Sequence, residues 1–145
     1  MNEFDLWFKK AAPWALNFSP GELTKFASNS RNGVMNGMPP QELWPNVLPT
    51  LYLLQQLRHK LDRPIRITSA FRRLEYNRQL KSPDNSQHVF FRALDFQADG
   101  VNPQTIKGIL LSWRSAGAWT GGLGTYPTFN HIDTRPSDST WDEPK

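Results

Sequence analysis

Apolar residues recur along this chain at two periods, and the switches between those periods outline its elements. Leu43, Val47, Leu48, Leu51, Leu54, Leu57 and Leu61 fall at helical spacing and predict the main core helix. Pro39-Pro40 opens that region. Pro45 and Pro49 predict a break or kink in its first part, because proline removes a donor and crowds the preceding turn. Ile106, Ile109, Leu110 and Trp113 define a second apolar helical face, capped at Asn102-Pro103 and running to about Ser115. Ser19-Pro20-Gly21-Glu22 reads as a helix start with a capping box and proline in the first turn. Leu23, Phe26 and Ala27 form the apolar face of that helix, which ends in the polar stretch from Asn29 to Asn32. A short helix is predicted from Leu74 to Leu80, and a loop from Ser82 to Ser86.

Alternation marks the strands. Ile65 to Ser69, Ala93 to Gln97, Gly121 to Tyr126 and Phe129 to Asp133 fit, the last two joined at Pro127. The expected fold class is therefore α+β: a small, mainly antiparallel sheet with helices packed on one face. The whole chain, 1–145, reads as a single domain with a core of about 18–135. Residues 1–17 read as an irregular, aromatic-rich N-terminal arm, tied down by Trp7, Phe8, Trp14 and, at its junction, Phe18. Residues 136–145 read as a polar, proline-bearing tail that frays.

Composition narrows the function classes. Six tryptophans and nine phenylalanines argue against disorder. The absence of cysteine excludes disulfides, a cysteine nucleophile and cysteine-type zinc sites. A net charge of +4 favours anionic partners. The strongest basic cluster, Arg58, His59, Lys60, Arg63 and Arg66, is diluted by apolar residues, and the aromatics sit at core spacing rather than in a basic stripe. A nucleic-acid partner is therefore not expected. No stretch is long and apolar enough for a membrane span. The segment from Met1 to Phe18 carries Glu3 and Asp5 and lacks a continuous apolar run, so no signal peptide is read there. A monomer is expected.

Candidate chemistry gathers at His88, Asp95 and His131. Two of the three histidines of the chain fall here; the third, His59, lies among charged helix positions and reads as a surface residue. Two imidazoles and one carboxylate are the ligand set of a catalytic zinc, which keeps a further position open. On a strand, Asp95 shares a face with Ala93 and Gln97, and His131 shares one with Asp133. His88, in the loop feeding the first of these strands, lies within reach of that face. Each histidine alone reads better as an ordinary loop or core residue, and Asp95 can be read as a turn carboxylate. An acid between Leu94 and Phe96 in an apolar strand nevertheless calls for a charge partner or a metal.

Four short motifs occur in order: Ser69-Ala70-Phe71-Arg72 followed by Asn77, Ser86-Gln87-His88, Ala93-Leu94-Asp95, and Gly122-Leu123-Gly124-Thr125-Tyr126-Pro127 leading to His131-Ile132-Asp133. In these the chain resembles the zinc D-alanyl-D-alanine carboxypeptidases and the phage-type L-alanyl-D-glutamate endopeptidases, which share a fold with the hedgehog amino-terminal domain. The resemblance implies that His88, Asp95 and His131 are zinc ligands. It makes Arg72 an electrostatic clamp on substrate, the alternative being a structural ion pair such as one with Glu75. Ser86 would buttress Asp95, and Tyr126 would pack the sheet. It also implies a peptidase acting on peptidoglycan stem peptides; with no signal peptide read at the start of the chain, such an enzyme is expected to reach the wall as an endolysin or in a virion. The chain departs from the family pattern in two respects. Phe91 replaces a glycine, where its ring narrows the cleft or fills an apolar gap. Phe129 and Thr128 stand where many members carry the general base. Asp133 is the remaining nearby acid, either as base or, preferably, as the group that orients His131. These departures motivate the alternative of a zinc-binding wall or virion module that has lost catalysis.

Overall fold

A computed structural model describes residues 2–143. Helix α1 spans Glu3–Ala11, where an irregular arm is expected from the sequence. The Asn2 side chain accepts from the Asp5 N–H at 2.8 Å, and the Asp5 carboxylate accepts from the Asn2 N–H at 3.4 Å, so the first turn has both capping partners. Phe4 and Phe8, one helical turn apart, are buried. Phe4 meets the edge of Trp44 at 5.2 Å between ring centroids, which docks the helix on the core.

Helix α2, Pro20–Thr24, starts where its signature predicts; Glu22 accepts from the Ser19 N–H at 3.0 Å. A 3₁₀ turn, Lys25–Ser28, carries it to Asn29. A small hairpin that the sequence reading did not anticipate follows, β1 (Ser30–Arg31) and β2 (Val34–Met35). Asn32 and Gly33 turn it with φ of 52° and 77°, the left-handed pair of a tight two-residue turn. The two prolines act as predicted. Pro45 sits in a 3₁₀ helix, Gln41–Val47, and Pro49 in the first turn of α3, Leu48–Leu61. Leu51, Leu54 and Leu57 of α3 are completely buried.

The remaining elements are β3 (Ile65–Ser69), α4 (Leu74–Gln79), β4 (Ala93–Ala98), α5 (Pro103–Ser115), β5 (Gly122–Thr125), β6 (Asn130–Asp133) and β7 (Ser139–Asp142). The main sheet has the order β3-β4-β6-β5-β7. Every pairing is antiparallel except β5 with β7. The α+β expectation holds. Leu94, Phe96, Leu123 and Ile132 leave the sheet on one side and join Leu51, Leu54, Leu57, Ile106 and Leu110 in one core.

The tail expected to fray instead supplies an edge strand at residues 139–142. Asp142 pairs with Lys107 of α5 at 2.9 Å, and Arg114 of α5 donates to the carbonyls of Gly121 and Ser139 at 2.8 and 3.2 Å. Residues 144–145 lie outside the described residues. Across the other side of the sheet, register sets one row: Asp95 opposite His131, His131 opposite Gly124, and Gly124 opposite Trp141.

Candidate metal centre

Alternation along β4 and β6 brings Asp95 and His131 out on the same side of the sheet as direct cross-strand partners. The loop before β4 adds His88. Its carbonyl accepts from the Arg72 N–H at 3.1 Å, which ties the loop to the segment after β3. One donor atom from each of His88, Asp95 and His131 lies within 4.8 Å of the others. All three residues are buried. His59, by contrast, is exposed on α3.

Each imidazole is held from behind. His88 Nδ1 lies 2.6 Å from the carbonyl oxygen of Ala70. A carbonyl only accepts, so Nδ1 carries the hydrogen and donates it. His131 Nε2 lies 2.7 Å from Asp133 Oδ2, and Nε2 is likewise the donor. In the neutral rings the lone pairs then sit on His88 Nε2 and His131 Nδ1, which face Asp95 Oδ1 at 3.1 and 2.9 Å. Three lone pairs aimed at one another are repulsive unless a cation stands among them. This donor set fits a metal ion, and it carries the outer hydrogen bonds that orient histidine ligands.

The electrostatics keep Asp95 ionised and His88 neutral, the forms that a metal ligand takes, and leave a proton as the competitor at His131. Burial alone would raise the Asp95 carboxyl, but the charges and hydrogen bonds of His88 and His131 outweigh it and hold Asp95 below the ordinary carboxylate range. Burial pushes His88 down, toward the neutral form, against the pull of Asp95. His131 is also buried, yet its bonds to Asp133 and Asp95 raise it. A metal ion competes with protons for these same lone pairs.

Asp133 is committed to structure on both oxygens. Besides His131, it accepts from the Gly122 N–H at 2.9 Å and from Arg135 Nε and Nη2 at 2.8 and 2.7 Å. Burial would raise its carboxyl, but Arg135 and His131 hold it low. The Gly122-Leu123-Gly124 motif now has a physical reason. A Cβ on Gly122 would lie 2.8 Å from the Asp133 carboxyl carbon, and one on Gly124 would lie 2.6 Å from the Trp141 ring. Both glycines clear space beside His131, and Trp141 takes the second space, with its ring centroid 5.1 Å from the imidazole. Trp141 escapes the sequence reading because it lies in the segment that reads as a tail, and Arg135 because its pairing with Asp133 depends on the turn beyond β6.

Arg72 stands 3.5 Å from Asp95 Oδ2 and donates to Ser69 and Asn77 at 3.3 Å each. The ion pair considered for it with Glu75 belongs instead to Arg73, at 3.1 Å. Ser86, expected against Asp95, accepts from the His88 N–H at 3.3 Å. Tyr126, expected to pack the sheet, lines the cleft and stacks on Phe129 with centroids 4.2 Å apart. Phe91 fills an apolar gap rather than narrowing the cleft. It is fully buried against Phe4 and Phe71. Its φ of 57° marks the left-handed conformation for which glycine is the ordinary choice.

The cleft over these residues has two arms that meet at Arg72, Leu80, Asp95 and Phe129. One, of about 720 Å³, runs past Lys81, Tyr126, Trp141 and Glu143. The other, of about 360 Å³, runs past Phe26, Asn29, Tyr76 and Gln97.

Comparison with known proteins agrees with this geometry. The chain is 29% identical over 134 residues to the probable peptidoglycan L,D-endopeptidase MepK of Haemophilus influenzae, an alignment that covers 88% of this chain and 68% of that protein. The family model described as Peptidase M15 matches residues 16–133, which include Arg72, His88, Asp95, His131 and Asp133 and stop short of β7. The chain belongs to the Peptidase M15 family.

Proposed function

We propose that this protein, as one domain over 1–145, is a zinc-dependent endopeptidase that hydrolyses peptide bonds in the stem peptides of bacterial peptidoglycan. The observation that carries the reading is the convergence of His88 Nε2, His131 Nδ1 and Asp95 at the floor of a cleft, with both rings fixed from behind. When bound there, zinc supplies Lewis acidity toward water and toward the scissile carbonyl. The endopeptidase form draws support from the two cleft arms, which leave room for substrate on either side of Asp95, and from the name of the Haemophilus relative. A net charge of +4 suits an anionic wall.

Within this reading the roles divide as follows. His88, Asp95 and His131 hold the ion. Asp133 keeps the hydrogen on His131 Nε2 and so leaves the Nδ1 lone pair free. Arg72, held by Ser69, Asn77 and Asp95 at the junction of the arms, presents fixed positive charge to a substrate carbonyl or carboxylate.

Digestion of purified peptidoglycan, read by mass spectrometry of the released muropeptides, tests the proposal. New amino termini at internal bonds are expected with zinc and none with a chelator. Release of terminal residues alone would select carboxypeptidase action, and no cleavage at all would sink the reading. The phage-type endolysin setting belongs to the same proposal: protein added to cells stripped of their outer membrane should lyse them.

One observation favours the second reading, a zinc-binding wall or virion module without catalysis. Phe129 and Thr128 offer no proton acceptor before His131, and Asp133 is fully engaged. Stoichiometric zinc binding with intact muropeptide affinity and no cleavage would select it.

A further inference from the structure

The wall of the larger cleft arm away from Arg72 is built by the two ends of the β5–β6 hairpin loop and by β7. Tyr126 and Phe129 stack face to face, within 5° of parallel. Trp141 Nε1 donates to the Tyr126 hydroxyl at 3.0 Å. Glu143 follows, on the same face as Trp141 by alternation, and its N–H donates to the Thr125 carbonyl at 2.8 Å. Among the described residues Glu143 has no ion-pair partner within 4 Å. Asp95, the other carboxylate lining this arm, is committed to His88, His131 and Arg72.

We infer that Glu143, with the aromatic wall of Tyr126 and Phe129 that Trp141 braces through its bond to the Tyr126 hydroxyl, forms a subsite for an ammonium group on the substrate. A carboxylate beside aromatic faces is the chemistry that recognises a primary ammonium. The remaining charges of this arm, Arg72, Lys81 and Arg135, are cationic. Arg72 follows one edge strand of the sheet, β3, and Glu143 follows the other, β7. Arg135 lies over the Trp141 ring at 5.4 Å, but its charge is matched by Asp133 at 2.7 Å, so Arg72 and Glu143 mark the two ends of the cleft, which orients a peptide that carries a carboxylate near Arg72 and an ammonium near Glu143. Proton transfer is not the role of Glu143. Strand spacing puts its backbone two strands and two residues from His131, about 12 Å away, beyond the reach of a glutamate to the reacting centre.

The inference rests on the peptidase reading, which makes the ligand a stem-peptide residue with a free side-chain ammonium. Two matched peptides test it, one with that ammonium free and one with it acetylated, against zinc-loaded wild type, Glu143→Gln and Glu143→Lys. Wild type should favour the free ammonium by about three- to tenfold in kcat/KM, the size of an exposed ion pair backed by aromatic contact. The difference should sit in KM. Glu143→Gln should erase the preference and Glu143→Lys reverse it, with the acetylated peptide cleaved equally by wild type and Glu143→Gln. The same ranking should appear in calorimetric binding of both peptides to metal-free protein. A preference that survives Glu143→Gln, or an equal loss of kcat on both peptides, overturns the subsite. If wild type cleaves neither peptide, the peptidase reading fails, and the metal-free binding still decides the subsite.

Discussion

Both oxygens of Asp133 are occupied by neighbours, and this separates two roles that the bare sequence leaves open for it. A base must be free to take a proton; an orienting group must hold one in place on its partner. Replacing Asp133 by Asn or Ala should therefore weaken zinc binding by about 10- to 100-fold, the usual effect of removing an outer partner of a histidine ligand. Turnover at saturating zinc should recover most of the wild-type rate. Zinc titration beside kcat at saturation checks this, and a collapse of kcat in zinc-saturated Asp133→Ala would restore it as the base. The three candidate ligands were legible as a group because strand alternation and an acid within an apolar run are local signals, whereas Arg72 was singled out only by the resemblance of Ser69-Ala70-Phe71-Arg72 to a family motif. Arg135 was not, since its pairing with Asp133 depends on the turn beyond β6.

Between elements, clearance is what shapes the centre. Gly124 is flanked by His131 on β6 and Trp141 on β7. Gly124→Ala places a methyl where the Trp141 ring lies. We expect a stability loss of about 1–3 kcal/mol, as for other overpacked sites, together with weaker zinc binding as Trp141 leaves the imidazole. Urea denaturation and zinc titration of the variant measure both, and unchanged values would show that β7 gives way freely. The elements that escaped the sequence reading share one physical trait. Helix α1 is short and aromatic, and its burial comes from Trp44 and Phe91, far along the chain. Strand β7 is a four-residue edge whose parallel pairing to β5 is non-local. The β1–β2 hairpin had a local signal, Asn32-Gly33, which the polar end of α2 obscured. Long periodic segments such as α3 and α5 were legible because their own sequence specifies the buried face.

For the molecule as a whole, the buried charges near the sheet set how stability responds to acid. Asp133, faced by Arg135, His131 and the Gly122 N–H, is held below its ordinary value of about 4. The folded protein thus binds fewer protons there than the unfolded chain. Its contribution is complete above about pH 4 and is lost as pH falls toward the folded value. Asp95 has the same sign. His131 has the opposite one, contributing fully below about 6.5 and less as pH rises through its raised value. Thermal unfolding of metal-free wild type and Asp133→Asn from pH 7 to 2.5 should show a Tm gap that narrows on the acid side. A gap of constant width would contradict the assignment.

The indole of Trp141 beside His131 has an optical consequence. An excited indole is quenched by a neighbouring imidazolium and responds differently to an imidazole whose lone pair is shared with an ion. Trp141 thus makes the centre self-reporting: subtracting the emission of Trp141→Phe from that of wild type isolates one chromophore among six. That difference spectrum should brighten as zinc displaces the proton from His131, and it follows occupancy without any substrate.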